Sequence, residues 1–125
     1  MLVDLDRARD SIIGDHEMLD STAVRCLLGK AATSQHTATG SVIALPASRQ
    51  KLYPAFQFDS PHRKVRPMVA QINWILGAKA DPWGVASWWL NPTAFADDPR
   101  SPAELAVAGG HEQYLLDMVD DLTQG

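Results

Sequence analysis

The stretch 41–59, SVIALPASRQKLYPAFQFD, decides how the rest of the chain is read. Two apolar runs, 42–45 and 52–58, flank a basic turn at 47–51, the pattern of a β-hairpin. Pro46 has no N–H to donate to a ladder, so its strand belongs at a sheet edge. Tyr53, Phe56 and Phe58 close the stretch as an aromatic cluster able to anchor the hairpin on neighbouring helices. With helical periodicity on both sides, the chain reads as mainly α with a small β-hairpin.

The charge of the chain changes sign around this stretch. Residues 21–66 carry seven Lys/Arg against one acid, Asp59, whereas 67–125 carry two against eight acids. The formal total of −4 therefore conceals a basic middle and an acidic end. Such asymmetry points to two surfaces with two kinds of partner. A length of 125 residues with 46% apolar content suits a compact domain with a core of its own. No window approaches 18 apolar residues and no charged-then-apolar leader opens the chain, so a cytoplasmic protein with no membrane contact is expected. Cys26 is the only cysteine. Its apolar setting, AVRCLL, predicts a buried structural thiol.

Helical signals bracket the hairpin. Residues 4–13 put Leu5, Ala8, Ile12 and Ile13 on one face, with Gly14 as a stop. Asp20 or Ser21 can cap a helix ending at Gly29, with Val24, Leu27 and Leu28 inward. A short helix over 33–39, closed by Gly40, runs against the low helix propensity of its threonines. Two short helices around a glycine turn are the ingredients of a helix-turn-helix, to which the hairpin adds a wing. After a basic linker over 60–66, Pro67 opens a helix with Val69, Ile72, Ile75 and Leu76, stopped by Gly77. Asp81-Pro82 opens another, DPWGVASWWL, which Asn91-Pro92 ends. Ser101-Pro102-Ala103-Glu104 matches a capping box. The last helix, about 111–122, carries Tyr114, Leu115, Met118, Val119 and Leu122 on one side. Its acids Asp117, Asp120 and Asp121 lie in the last turns, where the helix dipole disfavours them. The chain divides on this reading into 1–66 and 67–125.

No constellation of catalytic residues emerges. The four histidines lack paired metal-ligand spacing, and one cysteine excludes a thiolate cluster. There is no phosphate-binding glycine loop and no G-x-S-x-G. The adjacent pairs Asp97-Asp98 and Asp120-Asp121 diverge on a helix. The chain is expected to have no catalytic residue, no metal and no cofactor.

Two binding surfaces remain. In the basic half, Thr33, Ser34, Gln35 and His36 occupy the recognition-helix position, and Gln pairs best with adenine. Arg25 and Lys30 flank that helix, and Arg49 and Lys51 ride the wing, where they can meet phosphate. The recognition segment itself holds no Arg or Lys. In the acidic half, Trp88 and Trp89 point about 100° apart on a helix. One is expected in the core and the other at a partner surface, together with Tyr114, Asp117, Met118 and Asp121. A homodimer interface is an equally good use of that surface.

The combination of AVRCLLG, GSVIAL, KLYPAFQFD, DPWGVASWWLNP and SPAELAVAGG resembles antitoxins with the Xre/MbcA/ParS-type toxin-binding domain, from about residue 19 to about 122. The resemblance implies an N-terminal winged helix-turn-helix and a C-terminal helical toxin-binding domain. It also implies a RES-domain, NAD-degrading toxin as partner, bound by about 82–125, and operator DNA as a second partner. In this family the chemistry belongs to the toxin. The alternative is a free-standing DNA-binding regulator whose acidic half only dimerises.

Overall fold

The computed structural model describes residues 2–92 and 100–124, the first five of them by backbone alone. The chain is mostly helical, with seven α-helices among the described residues and a small antiparallel sheet. Helix α1 (Leu2–Asp15) leads into strand β1 (Met18–Asp20), helix α2 (Ser21–Leu28) and helix α3 (Lys30–Thr39). Strands β2 (Leu45–Ala47) and β3 (Gln50–Pro54) form a hairpin, but with shifted bounds: 42–44 is not strand, and the turn is 48–49 rather than 47–51. β1 also pairs with β3, so β3 is the central strand and Pro46 does lie on an edge. The hairpin turns through Ser48 and Arg49, with Ser48 at φ 53.

The run 52–58 is not one strand. A 3-10 turn at Ala55–Gln57 interrupts it, and β4 (Phe58–Asp59) then pairs with β5 (Lys64–Val65). The basic stretch 60–66 is therefore a second hairpin rather than a linker. Arg63 sits at its turn with φ 53 and donates to the carbonyls of Cys26 (2.8 Å) and Leu27 (3.3 Å). Its cation thus meets the C-terminal end of α2, where the helix dipole is negative.

The remaining helices are α4 (Pro67–Leu76), α5 (Pro82–Leu90), α6 (Pro102–Ala108) and α7 (Glu112–Gln124). Their ends follow local chemistry. Asp20 caps α2 through Ala23 N, Asp81 caps α5 through Gly84 N, and Ser101 with Glu104 forms both arms of a capping box. Gly29, Gly40 and Gly77 end their helices at positive φ, as expected. Gly14 does not: α1 passes through it to Asp15.

Two apolar clusters hold these elements together. The smaller contains Val24, Val42, Tyr53, Phe58 and Val65 beneath α2 and the sheet. The larger joins Ile12, Ile43 and Leu45 to Val69, Ile72, Val85, Trp89, Leu105, Leu115 and Val119. Residues on both sides of position 66 share it. Three inward expectations are corrected by burial: Ala8 is exposed, Ile75 is half in water, and Leu122 is 55% exposed. Cys26 is also exposed, not buried, because α2 turns Val24 rather than Cys26 toward the sheet.

Candidate nucleic-acid and partner-binding surfaces

Helices α2 and α3 are joined by Gly29 alone, which caps the C-terminus of one and the N-terminus of the other. Its φ of 91° allows so tight a junction. α3 begins at Lys30, three residues before its expected start. Its threonines turn their hydroxyls back onto the helix backbone. Thr33, Thr37 and Thr39 each donate a hydroxyl to a carbonyl one turn back, at 2.8, 2.8 and 3.1 Å.

The recognition set separates on this helix. Thr33 is buried, with its hydroxyl on Gly29 O, so it does not reach a ligand. This corrects its place among the DNA-facing residues. His36 is half-buried, its Nδ1 lying 2.6 Å from Ser41 Oγ, and burial lowers its pKa below the ordinary 6.5. Ser34 and Gln35 are exposed, as are Ala31 and Ala38, which the sequence did not single out. Arg25 in the last turn of α2, Lys30 at the start of α3, and Arg49 and Lys51 on the hairpin are all exposed. Of the other basic residues, Arg63 is held by α2, and Arg66 donates from Nε to Phe56 O at 3.0 Å. The free basic face is thus narrower than the count of charges suggests.

At the exit from α3 lies a polar network that the sequence did not reveal. Gln57 and Asn73 are wholly buried. Gln57 Oε1 accepts from Ile43 N (2.6 Å) and Asn73 Nδ2 (3.0 Å), while its Nε2 donates to the carbonyls of Ile43 (3.2 Å) and Pro54 (3.1 Å). Asn73 Nδ2 also donates to Ser41 O (3.0 Å), and its Oδ1 accepts from Trp89 Nε1 at 2.8 Å. The network ties segment 41–43, the exit from α3, to α4 and α5. The only sequence signal was a Gln within an aromatic run and an Asn beside Ile72, neither of which marks burial by itself.

In the acidic half, Trp89 is fully buried and cannot touch a partner, which corrects its place among the toxin-facing residues. Burial is dictated by its neighbours: Phe56 packs at 5.2 Å between ring centroids and Trp88 edge-on at 5.0 Å. Trp88 is half-buried and packs partly against the same core. On α7, Leu115 and Val119 face the core and Met118 is half-buried, while Tyr114, Asp117 and Asp121 are exposed. Gln113 Nε2 donates to Asp117 at 2.9 Å. Trp74 on α4 is 67% exposed, the most open large apolar side chain among the described residues. Asp97 and Asp98 lie outside the described residues.

Among the described residues there is no group of three or more His, Cys, Asp and Glu placed to hold a metal ion. An open cleft of about 720 Å³ lies between β1, the 3-10 turn and α6. Glu104 at its rim accepts from Ser101 N and Oγ at 3.2 Å, and Arg66 is held by Phe56 O. These two charged groups thus serve the fold, while Glu17 on the same cleft is exposed. No described helix is long and apolar enough to cross a membrane. Compared with protein-family models, curated proteins and solved structures, the chain matches none.

Proposed function

We propose that the chain is an antitoxin, which neutralises a RES-type toxin by stoichiometric binding through its acidic half and binds operator DNA through its basic half. The motifs DPW, WWLNP and SPAEL that resemble the toxin-binding domain support this reading. So does one physical observation, which carries it: α7 exposes Tyr114, Asp117 and Asp121 together on a helix anchored by Leu115 and Val119. An aromatic side chain beside two carboxylates is suited to a partner whose pocket binds an anionic nucleotide and is therefore basic. Trp88 and Met118 are secondary candidates for the same surface, and Trp89 acts through the core.

The order α1–β1–α2–α3–β2–β3, with α3 exposing a polar face ahead of a basic hairpin, favours the second role and the alternative of a free-standing winged helix-turn-helix regulator. Co-expression of the tagged chain with the product of the neighbouring reading frame separates the two. The antitoxin reading expects a complex of fixed stoichiometry, relief of toxin-induced growth arrest, and loss of both in Tyr114→Ala/Asp117→Lys/Asp121→Lys at unchanged melting temperature. If nothing co-purifies and growth arrest persists, the regulator reading stands in its place.

A further inference from the structure

The solvent face of α3 assigns it a target chemistry, and this inference rests on the DNA-binding reading above. We propose that Gln35 is the base-reading residue of this helix and that its target is an adenine within an A·T-rich site. Four observations on α3 converge on it. Thr33 is buried with its hydroxyl on Gly29 O, and half-buried His36 commits its Nδ1 to Ser41 Oγ, which leaves it one ring nitrogen at most and no paired donor and acceptor for a base edge. Thr37 and Thr39 likewise donate to their own helix. That leaves Ala31, Ser34, Gln35 and Ala38 as the exposed face beyond the first residue, Lys30.

Among these, Gln35 alone offers a donor and an acceptor on one rigid amide, the pair that matches N7 and N6–H₂ of adenine in the major groove. Ala31 and Ala38 precede Gln35 by four residues and follow it by three, so they border it on the same helical face. Their methyl groups suit contact with the thymine C5-methyl and offer nothing to guanine O6. The bidentate reader of guanine is Arg or Lys, and beyond Lys30 at its very start α3 has neither. Arg25, Arg49 and Lys51, outside α3, are left to neutralise phosphate without reading sequence.

The test is selection from a pool of random-sequence DNA duplexes by the full-length chain, compared with Gln35→Ala, Gln35→Arg and Arg25→Ala. The wild type is expected to enrich A·T-rich sites with adenine at one position. Gln35→Ala loses discrimination at that position by about 5- to 150-fold, with its melting temperature and its low-salt affinity for unselected duplex unchanged. Gln35→Arg moves the preference there to guanine. Arg25→Ala weakens binding to all duplexes and leaves the selected motif intact. A G·C-centred motif, or adenine preference that survives Gln35→Ala, overturns the assignment to Gln35 while DNA binding itself stands. Failure of the wild type to retain any duplex at low salt overturns the DNA-binding reading, and this assignment with it.

Discussion

Asn73 is a buried polar side chain that joins three separate segments. Its two amide hydrogens and its oxygen bridge Ser41, Gln57 and Trp89, none of them on its own helix. Replacing it by leucine keeps the volume and leaves the indole N–H and the Ser41 carbonyl unpaired. Each such orphan costs roughly 1–3 kcal/mol. Asn73→Leu should therefore lower unfolding stability in urea by at least about 2 kcal/mol, and by clearly less when introduced into Trp89→Phe, where the indole donor is already gone. Equal costs in both backgrounds would dissolve the proposed pairing. His36 makes a second prediction at this scale. The unfolded histidine binds a proton near pH 6.5, while burial keeps the folded one neutral to lower pH. The unfolded state thus holds more protons in that window, so stability is full above about pH 6.5 and falls as pH drops toward the folded pKa. His36→Asn should flatten the melting-temperature profile there. The Asp59–His62 pair at 2.9 Å acts in a different window. Its hydrogen bond holds the Asp59 carboxyl below the ordinary 3.8, so that contribution is lost only at more acidic pH.

At the scale of elements, the helix boundaries come from short-range chemistry and the helix faces do not. Caps at Asp20, Asp81 and Ser101–Glu104, and stops at Gly29, Gly40 and Gly77, all lay in plain view, because each acts within four residues. Gly40 is the one stop that is also a packing contact. It has φ 78, and a Cβ there would lie 2.8 Å from Lys79 Cβ and 3.0 Å from Lys79 N. Gly40→Ala combines left-handed strain with a backbone clash and should cost more than about 1 kcal/mol, read as a lower melting temperature. Gly77→Ala, in the same left-handed region at φ 79, meets strain alone, with nothing within 4 Å of its Cβ, and should cost less. Three strands escaped a reading by pattern: β1 is three residues long, and β4 and β5 are two each. Strands so short show no alternation, and they exist because β3 and the Arg63 contact hold them in place.

Across the whole molecule, the change of charge sign at 66/67 does not coincide with a break in the core. Ile43 and Leu45, both wholly buried, belong to the cluster formed by Val69, Ile72 and Trp89. The Gln57–Asn73 bond at 3.0 Å crosses the same position. The full chain should therefore unfold in one transition, with far-ultraviolet circular dichroism and tryptophan fluorescence coincident. The fragment 1–66 should show no cooperative melt, since it exposes Ile43 and Leu45 and leaves Gln57 without Asn73. A stably folded 1–66 fragment would make the basic half an independent module instead.

Local signals along the chain were enough for the mainly helical class, a hairpin with Pro46 on its edge, and most helix ends, because caps, prolines and glycines act through neighbours a turn away. They also marked the basic and acidic surfaces, since Arg49, Lys51, Asp117 and Asp121 stay exposed in the fold. Only the tertiary structure decided which of two adjacent tryptophans is core, that Thr33 and His36 turn inward, and that Arg63 is a clasp on α2. Those outcomes depend on partners 16 to 37 residues away or on the packing of one helix against another. Spacing along a chain reports which residues share a face, but burial and hydrogen-bond pairing depend on what that face meets.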